Sequence, residues 1–197
     1  MLKYRPFEMH CHTRHSDGTF LVPQLIESVA AYGYAGLALT DHNAVTGLLE
    51  VTEELQRKNN CLVLPGIEWT TFYGHLLVIG CDRFVDWRFV TPDTIDEALQ
   101  EIRAAGGIAG VAHPCEVGSP LMCGCNWEFR VKRWDLMDYV EIWSGPDPHA
   151  SAKNGLAMPW YDALLNQGYH LAISAGRDWH GPDKPGQIPL LPATYLG

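Results

Sequence analysis

Gly36-Leu37-Ala38-Leu39-Thr40-Asp41-His42-Asn43 is a short apolar run that stops abruptly at an acid, a histidine and an amide. An apolar run of this length, bounded by polar residues, is that of a buried strand. Polar residues gathered where such a strand ends mark the working face of a barrel or a doubly wound sheet. The pattern recurs outward in both directions. Strands are expected near Phe7 to His12, Gly36 to Thr40, Cys61 to Ile67, His75 to Gly80, Gly107 to Ala112, Tyr139 to Trp143 and Leu171 to Ala175. Helices fit Pro23 to Tyr32, Leu48 to Lys58, Thr94 to Ala105 and Pro159 to Asn166. Pro opens the first, Asp93 or Thr94 is available to cap the third, and Gly33, Gly106 and Gly168 supply stops. This alternation predicts an α/β chain of β/α units around a largely parallel sheet. Glu116 to Trp134 has no clean period and reads as an irregular excursion, a candidate lid.

With 197 residues, 47% of them hydrophobic, the chain has enough apolar material for one core, so residues 1–197 read as a single domain. The formal net charge of −9 argues against a broad electrostatic footprint for nucleic acid or anionic membrane, and leaves room for a local metal-lined pocket. Met1 to Glu8 holds no long apolar run, so neither a secretory signal nor a membrane span is read there and a cytoplasmic location is expected. Ala193 to Gly197 reads like a strand entering a further unit, as in a chain truncated at its C-terminal end. Several of the six cysteines lie in apolar runs and are expected as buried, reduced thiols. Cys123-Gly-Cys125 is not CxxC and lacks a second pair, which argues against a zinc site.

The chemistry begins at His10-Cys11-His12. Residues two apart on a strand share a face, so both histidines can grip one metal ion while Cys11, with Phe7 and Met9 in phase, packs beneath the helices. Asp17 follows in a turn before Gly18. His42 is a candidate ligand, and Asp41, out of phase with it, is placed to orient a neighbour or cap the next element. Glu68 ends the third strand and His75 opens the fourth; the two converge if the connection is a tight hairpin-like turn. His113 stands at a strand end, where Pro114 directs the chain away. Asp178 and His180 alternate with Trp179. Six histidines and three carboxylates, nearly all at carboxyl ends of expected strands, read together as a metal centre. Arg14 and His15, beside the first ligands, are either substrate contacts or surface charge. His149 lies in a loop that could reach the pocket, and His170 opens a strand at the wrong end and reads as structural. Trp127, Trp134, Trp143, Trp160 and Trp179 read as core and rim packing. No GxSxG, GxxxxGK or GxGxxG competes.

The ordered set of HxH, SDG, TDH, a Glu then a His, a strand-end HP and a late DxH resembles the PHP (polymerase and histidinol phosphatase) superfamily over nearly the whole chain. Thr40-Asp-His-Asn, Gly66-Ile-Glu-Trp and Tyr73-Gly-His are most similar to the branch that includes carbaryl-hydrolase-like metallohydrolases and small-molecule phosphoesterases. The resemblance implies a distorted seven-stranded β/α barrel holding two or three divalent ions, manganese, iron or zinc. It implies one metal on His10, His12, Glu68 and Asp178, a second on Asp17, His42 and His180, and a third on Glu68, His75 and His113, with Glu68 as bridge. Asp17, Glu68 and His180 are the positions given a catalytic part. Relatives more often carry small residues where this chain has Arg177 and Trp179, so these two either shape specificity or merely pack, and Arg177 joins Arg14 and His15 as a candidate substrate contact. The implied reaction is hydrolysis by a metal-bound hydroxide, since coordination lowers the pKa of water to roughly 7. Three divalent ions against three carboxylates leave roughly +3 at the centre, which favours a small phosphate mono- or diester as substrate. The rivals are a carbamate, ester or amide at the same centre, and a non-catalytic module that uses metal for stability or docking. Nucleic acid enters only as a mono- or oligonucleotide substrate, and no membrane partner is expected.

Overall fold

Each apolar run pairs with its neighbour in the computed structural model, which describes residues 3–118, 124–147, 151–184 and 191–197. The elements in order are β1 (Arg5–Glu8), α1 (Val22–Ala31), β2 (Gly36–Leu39), a 3₁₀ turn (Thr46–Glu50), α2 (Glu53–Asn59), β3 (Leu62–Thr71) and β4 (Gly74–Ile79). After these come α3 (Ile95–Ala104), β5 (Ile108–Val111), a second 3₁₀ turn (Trp134–Leu136), β6 (Tyr139–Ser144), α4 (Ala152–Asn166), β7 (Ala172–Gly176) and β8 (Thr194–Leu196). The strands form one sheet in the order β7-β6-β5-β4-β3-β2-β1-β8. To the seven strands of the expected barrel is added the strand expected at Ala193 to Gly197, which pairs within this sheet. The extra one, β8, runs antiparallel to β1, and its Thr194 hydroxyl accepts from Ala175 N at 2.9 Å on the far edge strand. At the other end of the seam, Cys11 and Trp179 form a parallel bridge, with His12 N donating to Trp179 O and Trp179 N to His10 O. The sheet is thus a nearly closed barrel.

Side chains alternate between its two faces. Outside, Leu37, Leu39 and Val63 pack with Leu25, Ile26 and Val29 of α1, and Ile67, Trp69, Leu76, Val78, Val111 and Val140 pack with Ile95, Leu99 and Ile102 of α3. Inside, Ala38, Leu77, Ile79, Ala112 and Tyr139 form a smaller plug. Phe7 and Met9 belong to this plug, not to the layer beneath the helices where their phase with Cys11 places them. β1 ends at Glu8, so the strict alternation is lost between Met9 and Cys11.

The hairpin-like connection on which the convergence of Glu68 and His75 depends is present, and two helix expectations are corrected. β4 is antiparallel to both β3 and β5, because Phe72 and Tyr73 alone turn the chain into Gly74, whose φ of +137° suits glycine. Pro159 lies inside α4 instead of opening it, so the helix begins well before that residue. The run from Leu48 to Lys58 is also divided: it breaks at Val51, and Thr52 caps α2 by accepting from Leu55 N at 3.1 Å. Thr94 lies at the N-cap of α3, but its side chain makes no capping bond. Cys11, Cys61 and Cys81 form no disulfide, and Cys123 lies outside the described residues. No described helix is long and apolar enough to cross a membrane.

Tyr139 ties three strands together. Its ring lies against Gly110 of β5, where an added Cβ would stand 2.0 Å from Cε2, and its hydroxyl donates to Leu77 O of β4 at 3.0 Å. Gly110→Ala must therefore displace the ring, at a cost of about 1–3 kcal/mol or more. The expected drop in melting temperature is roughly 2–10 °C. A melting temperature equal to wild type would show that the ring is not held against the strand.

Candidate metal centre

The strand ends deliver their polar residues to one point, and Glu68 is at its middle. Its side chain, wholly buried, projects inward from β3. Glu68 Oε2 lies 2.9 Å from His42 Nδ1, 3.1 Å from His10 Nε2 and 3.4 Å from His12 Nε2. Glu68 Oε1 lies 2.9 Å from His75 Nδ1 and 3.1 Å from His113 Nε2. The β3–β4 hairpin is what brings His75 back beside Glu68. Asp178 Oδ1 is 3.1 Å from His12 Nε2 and 3.4 Å from His10 Nε2. Asp17 meets His180 Nε2 at 3.2 Å and His42 Nε2 at 3.6 Å. All nine expected ligands are therefore neighbours. Their donor atoms fall into sets lying within 4.8 Å of one another: His10, His12, Glu68 and Asp178; His12, Asp17, His42 and His180; His42, Glu68 and His75; and His113, Glu116 and Asp178. The first set matches the grouping implied by the resemblance. The second adds His12, and His113 groups with Glu116 and Asp178 instead of with His75.

These groups fit a metal. His10 Nε2 and Glu68 Oε2 are buried and only 3.1 Å apart, yet neither has a hydrogen-bond partner. His12 Nδ1, His75 Nε2 and His113 Nδ1 are likewise unpartnered. Buried polar atoms left this way are costly, and divalent cations among them would take up the converging lone pairs. Mixed imidazole and carboxylate donors suit first-row transition ions. The carboxylates are ionised as that role requires, whereas an imidazole must give up its proton to hold an ion. Burial alone would push Glu68 up, but His10, His113 and His42 hold it well below the usual carboxylate range. Asp178 is held down against burial by His10, His12 and His113. His180 is pushed up to about 9: burial opposes this, and Asp17 and Asp178 outweigh it. Two of the strand-end ligands sit in the left-handed region, His113 at φ 26° and Asp178 at φ 50°. Such strain in residues other than glycine is typical of functional positions.

A layer behind the ligands went unread in the sequence. Glu141 accepts from His10 Nδ1 at 3.0 Å and from His113 N at 3.0 Å. This puts the proton of His10 on Nδ1 and leaves Nε2 for the centre. Glu8 Oε1 accepts from His10 N and Arg177 N, both at 2.9 Å, and burial pushes its carboxyl up to about 8. Glu141 had a signal, as an acid inside the apolar run Tyr139–Ser144, whereas Glu8 stands before the point where the alternation breaks and has no such local mark. Asp41 does orient its neighbours, accepting from Thr13 N, the Thr13 hydroxyl and the Ser16 hydroxyl at 2.6–2.7 Å, next to the loop that carries Asp17.

Of the two readings open for Arg177, the structure favours packing. It is fully buried, its guanidinium 3.9 Å from the centre of the Trp179 ring and paired with Asp183. Arg14 Nε donates to Thr19 O at 3.1 Å on the surface. The His15 ring is occupied by the Thr46 hydroxyl and Glu50, each at 2.8 Å. His170 is exposed, just before β7 and so at its opposite end from the ligands. His149 lies outside the described residues.

The family model for the PHP domain matches residues 8–110. A 3',5'-nucleoside bisphosphate phosphatase of Chromobacterium violaceum is 34% identical over 79 residues, 38% of this chain and 27% of that relative. The match thus spans about a quarter of the phosphatase's length. Among solved structures, a two-domain Bacteroides vulgatus protein with a predicted PHP-like metal-dependent phosphoesterase superposes with a TM-score of 0.67 at 18% identity, covering 91% of this chain and 53% of the other. A Bifidobacterium adolescentis protein designated a metal-dependent phosphoesterase gives 0.64 at 18% identity, covering 92% and 90%. At these identities the structures share the fold.

The placement of Glu141 generates a prediction of its own. Glu141→Gln keeps the volume but presents one acceptor where two carboxylate oxygens now serve His10 and His113. Affinity for added manganese should fall about 10–100-fold with the melting curve of the metal-free protein little changed. Unaltered affinity in an equilibrium metal titration would remove Glu141 from the centre.

Proposed function

The chain belongs to the PHP domain family, and from that premise we propose that it is a metal-dependent phosphoesterase acting on a small phosphate mono- or diester. The observation that carries the reading is the convergence of six imidazoles and three carboxylates on a point where buried donor atoms lack partners. Two or three bound ions of manganese, iron or zinc would supply Lewis acidity and a water acidic enough to ionise near neutral pH. The ligands divide by position. His10, His12 and Asp178 serve the deep side, Asp17, His42 and His180 the mouth, and His75 and His113 the β4–β5 side. Glu68 touches members of all three groups, and we assign it the bridging role. Asp17 and His180 are the more exposed members, at 57% and 37%, so they are the ligands an incoming ester meets.

The choice of phosphate over a neutral ester rests on charge. Three divalent ions would outweigh the five carboxylates gathered there, Asp17, Glu68, Asp178, Glu116 and Glu141, and leave a centre that is net positive within an otherwise acidic chain. Such a centre suits the charge spread over phosphoryl oxygens. The named activity of the Chromobacterium relative points in the same direction, toward a nucleotide phosphate. A groove of about 500 Å³ between Thr70–Tyr73 and Trp87–Thr91 begins at Thr70, whose hydroxyl meets His42 Nδ1, and offers room for an organic group. Arg14 and His15 stand at the rim as further candidate contacts.

With added manganese, the protein should hydrolyse nitrophenyl phosphate, bis-nitrophenyl phosphate or nucleotide phosphates faster than nitrophenyl acetate, with His10→Ala as the blank. Metal-dependent turnover of acetate or a carbamate, without phosphoester activity above that blank, would overturn the substrate class and leave the centre intact. The bridging role is tested separately. Glu68→Ala should lose more metal per chain than His113→Ala, because one carboxylate serves more than one ion. Equal loss in the two variants, measured by elemental analysis, would sink it.

A further inference from the structure

Lys153, in the first turn of α4, is a cation that neither the ligand set nor the layer behind it explains. Of the basic side chains near the centre, Arg177 is turned into the core and Arg14 is engaged on the surface with Thr19 O. Lys153 reaches the ligands. Its side chain is only 18% exposed, and Nζ donates to Glu116 Oε2 at 2.8 Å. That same carboxylate oxygen lies 3.4 Å from His113 Nδ1. Glu116, His113 and Asp178 bring donor atoms within 4.8 Å of one another, and the charges acting on Lys153 include Asp178 and Glu141 as well as Glu116.

Withdrawing an ammonium from water is costly. Placing it beside a site for divalent cations adds repulsion, and Glu116 offsets only part of this. An anion bound on the metals would supply the missing counter-charge. The ammonium has three donors, and the bond to Glu116 uses one. We propose that Lys153 anchors the substrate's phosphate group, donating from Nζ to a phosphate oxygen, while Glu116 keeps the ammonium in place between turnovers. The inference rests on the phosphoester reading above. Lysine suits the task as a compact point charge for phosphate.

The test uses the manganese-loaded chain and the variants Lys153→Gln, Lys153→Arg and Glu116→Gln. It measures KM and kcat for nitrophenyl phosphate, inhibition by inorganic phosphate, metal per chain and thermal melting. Lys153→Gln should raise both KM and the phosphate inhibition constant about tenfold or more, with metal content and melting unchanged, and Lys153→Arg should recover part of the loss. Glu116→Gln, compared with wild type at equal metal per chain, should bind phosphate as tightly or more tightly, because a competing negative charge is gone. A lysine that merely orients Glu116 predicts something else: both Gln variants would weaken phosphate binding equally. That result, or wild-type KM and inhibition in Lys153→Gln, overturns the inference. A wild-type protein that turns over acetate but no phosphoester fells the underlying reading, and this proposal with it.

Discussion

A carboxylate withdrawn entirely from water and surrounded by five imidazoles is the constraint around which the molecule is arranged. Glu68 cannot occupy that position cheaply unless opposite charge or hydrogen-bond donors surround it. The backbone grips it accordingly. Glu68 N donates to Asp41 O and Glu68 O accepts from Asn43 N, so β3 is stitched to the turn that carries His42. The antiparallel β3–β4 hairpin then places His75 opposite Thr70, one turn of chain from the acid it faces. A strictly parallel barrel would need a full crossover between those two residues. The local break in the β/α pattern is therefore the feature that lets two ligands from adjacent strands converge.

The second requirement is that both ends of the chain's barrel meet, because His10 and His12 come from the first strand segment and Asp178 and His180 follow the seventh. Ordinary strand pairing does not close that seam. Glu8 does part of it, holding His10 N and Arg177 N with one oxygen. The Cys11–Trp179 bridge does another part, and β8 fills the base. Arg177 and Trp179 acquire a purpose in this setting. The guanidinium lies on the indole and near Tyr32 of α1's end, paired with Asp183, so cation–π contact and an ion pair pin the segment that carries Asp178. Small residues at these positions would leave the segment less tightly tethered.

What the sequence made legible follows from this geometry. Alternation and strand-end placement are local signals, so the nine candidate ligands that the fold brings together and the seven longer strands could be read from runs of a few residues. Glu8, Glu141, Glu116 and Lys153 could not be weighed in the same way, because each has meaning only through a partner distant in the chain, such as His10 for Glu141 or Glu116 for Lys153. Phe7 and Met9 lie in a different layer from the one their spacing predicts for a related reason: a two-residue period does not carry across the point where the strand ends. Pro159 misplaced a helix start because proline is favoured at a first turn but is also carried inside longer helices.

The apolar plug gives the centre a direction. Ala38, Leu77, Ile79, Ala112 and Tyr139 seal the barrel interior, and His10, His12 and Glu68 are without solvent exposure. Exposure then rises through His42 at 23% to Asp17 at 57%, so solvent reaches the cluster from the Asp17 and His180 side. Lys153 and Glu116 sit by His113 instead, at a second, less open edge. A group approaching from the mouth therefore meets ligands first and the buried ammonium last. Only an anion gains from both, since a neutral ester has no charge to offer the lysine. The asymmetry of exposure thus agrees with the proposed phosphate, held between the more open candidate ligands and the recessed ammonium of Lys153.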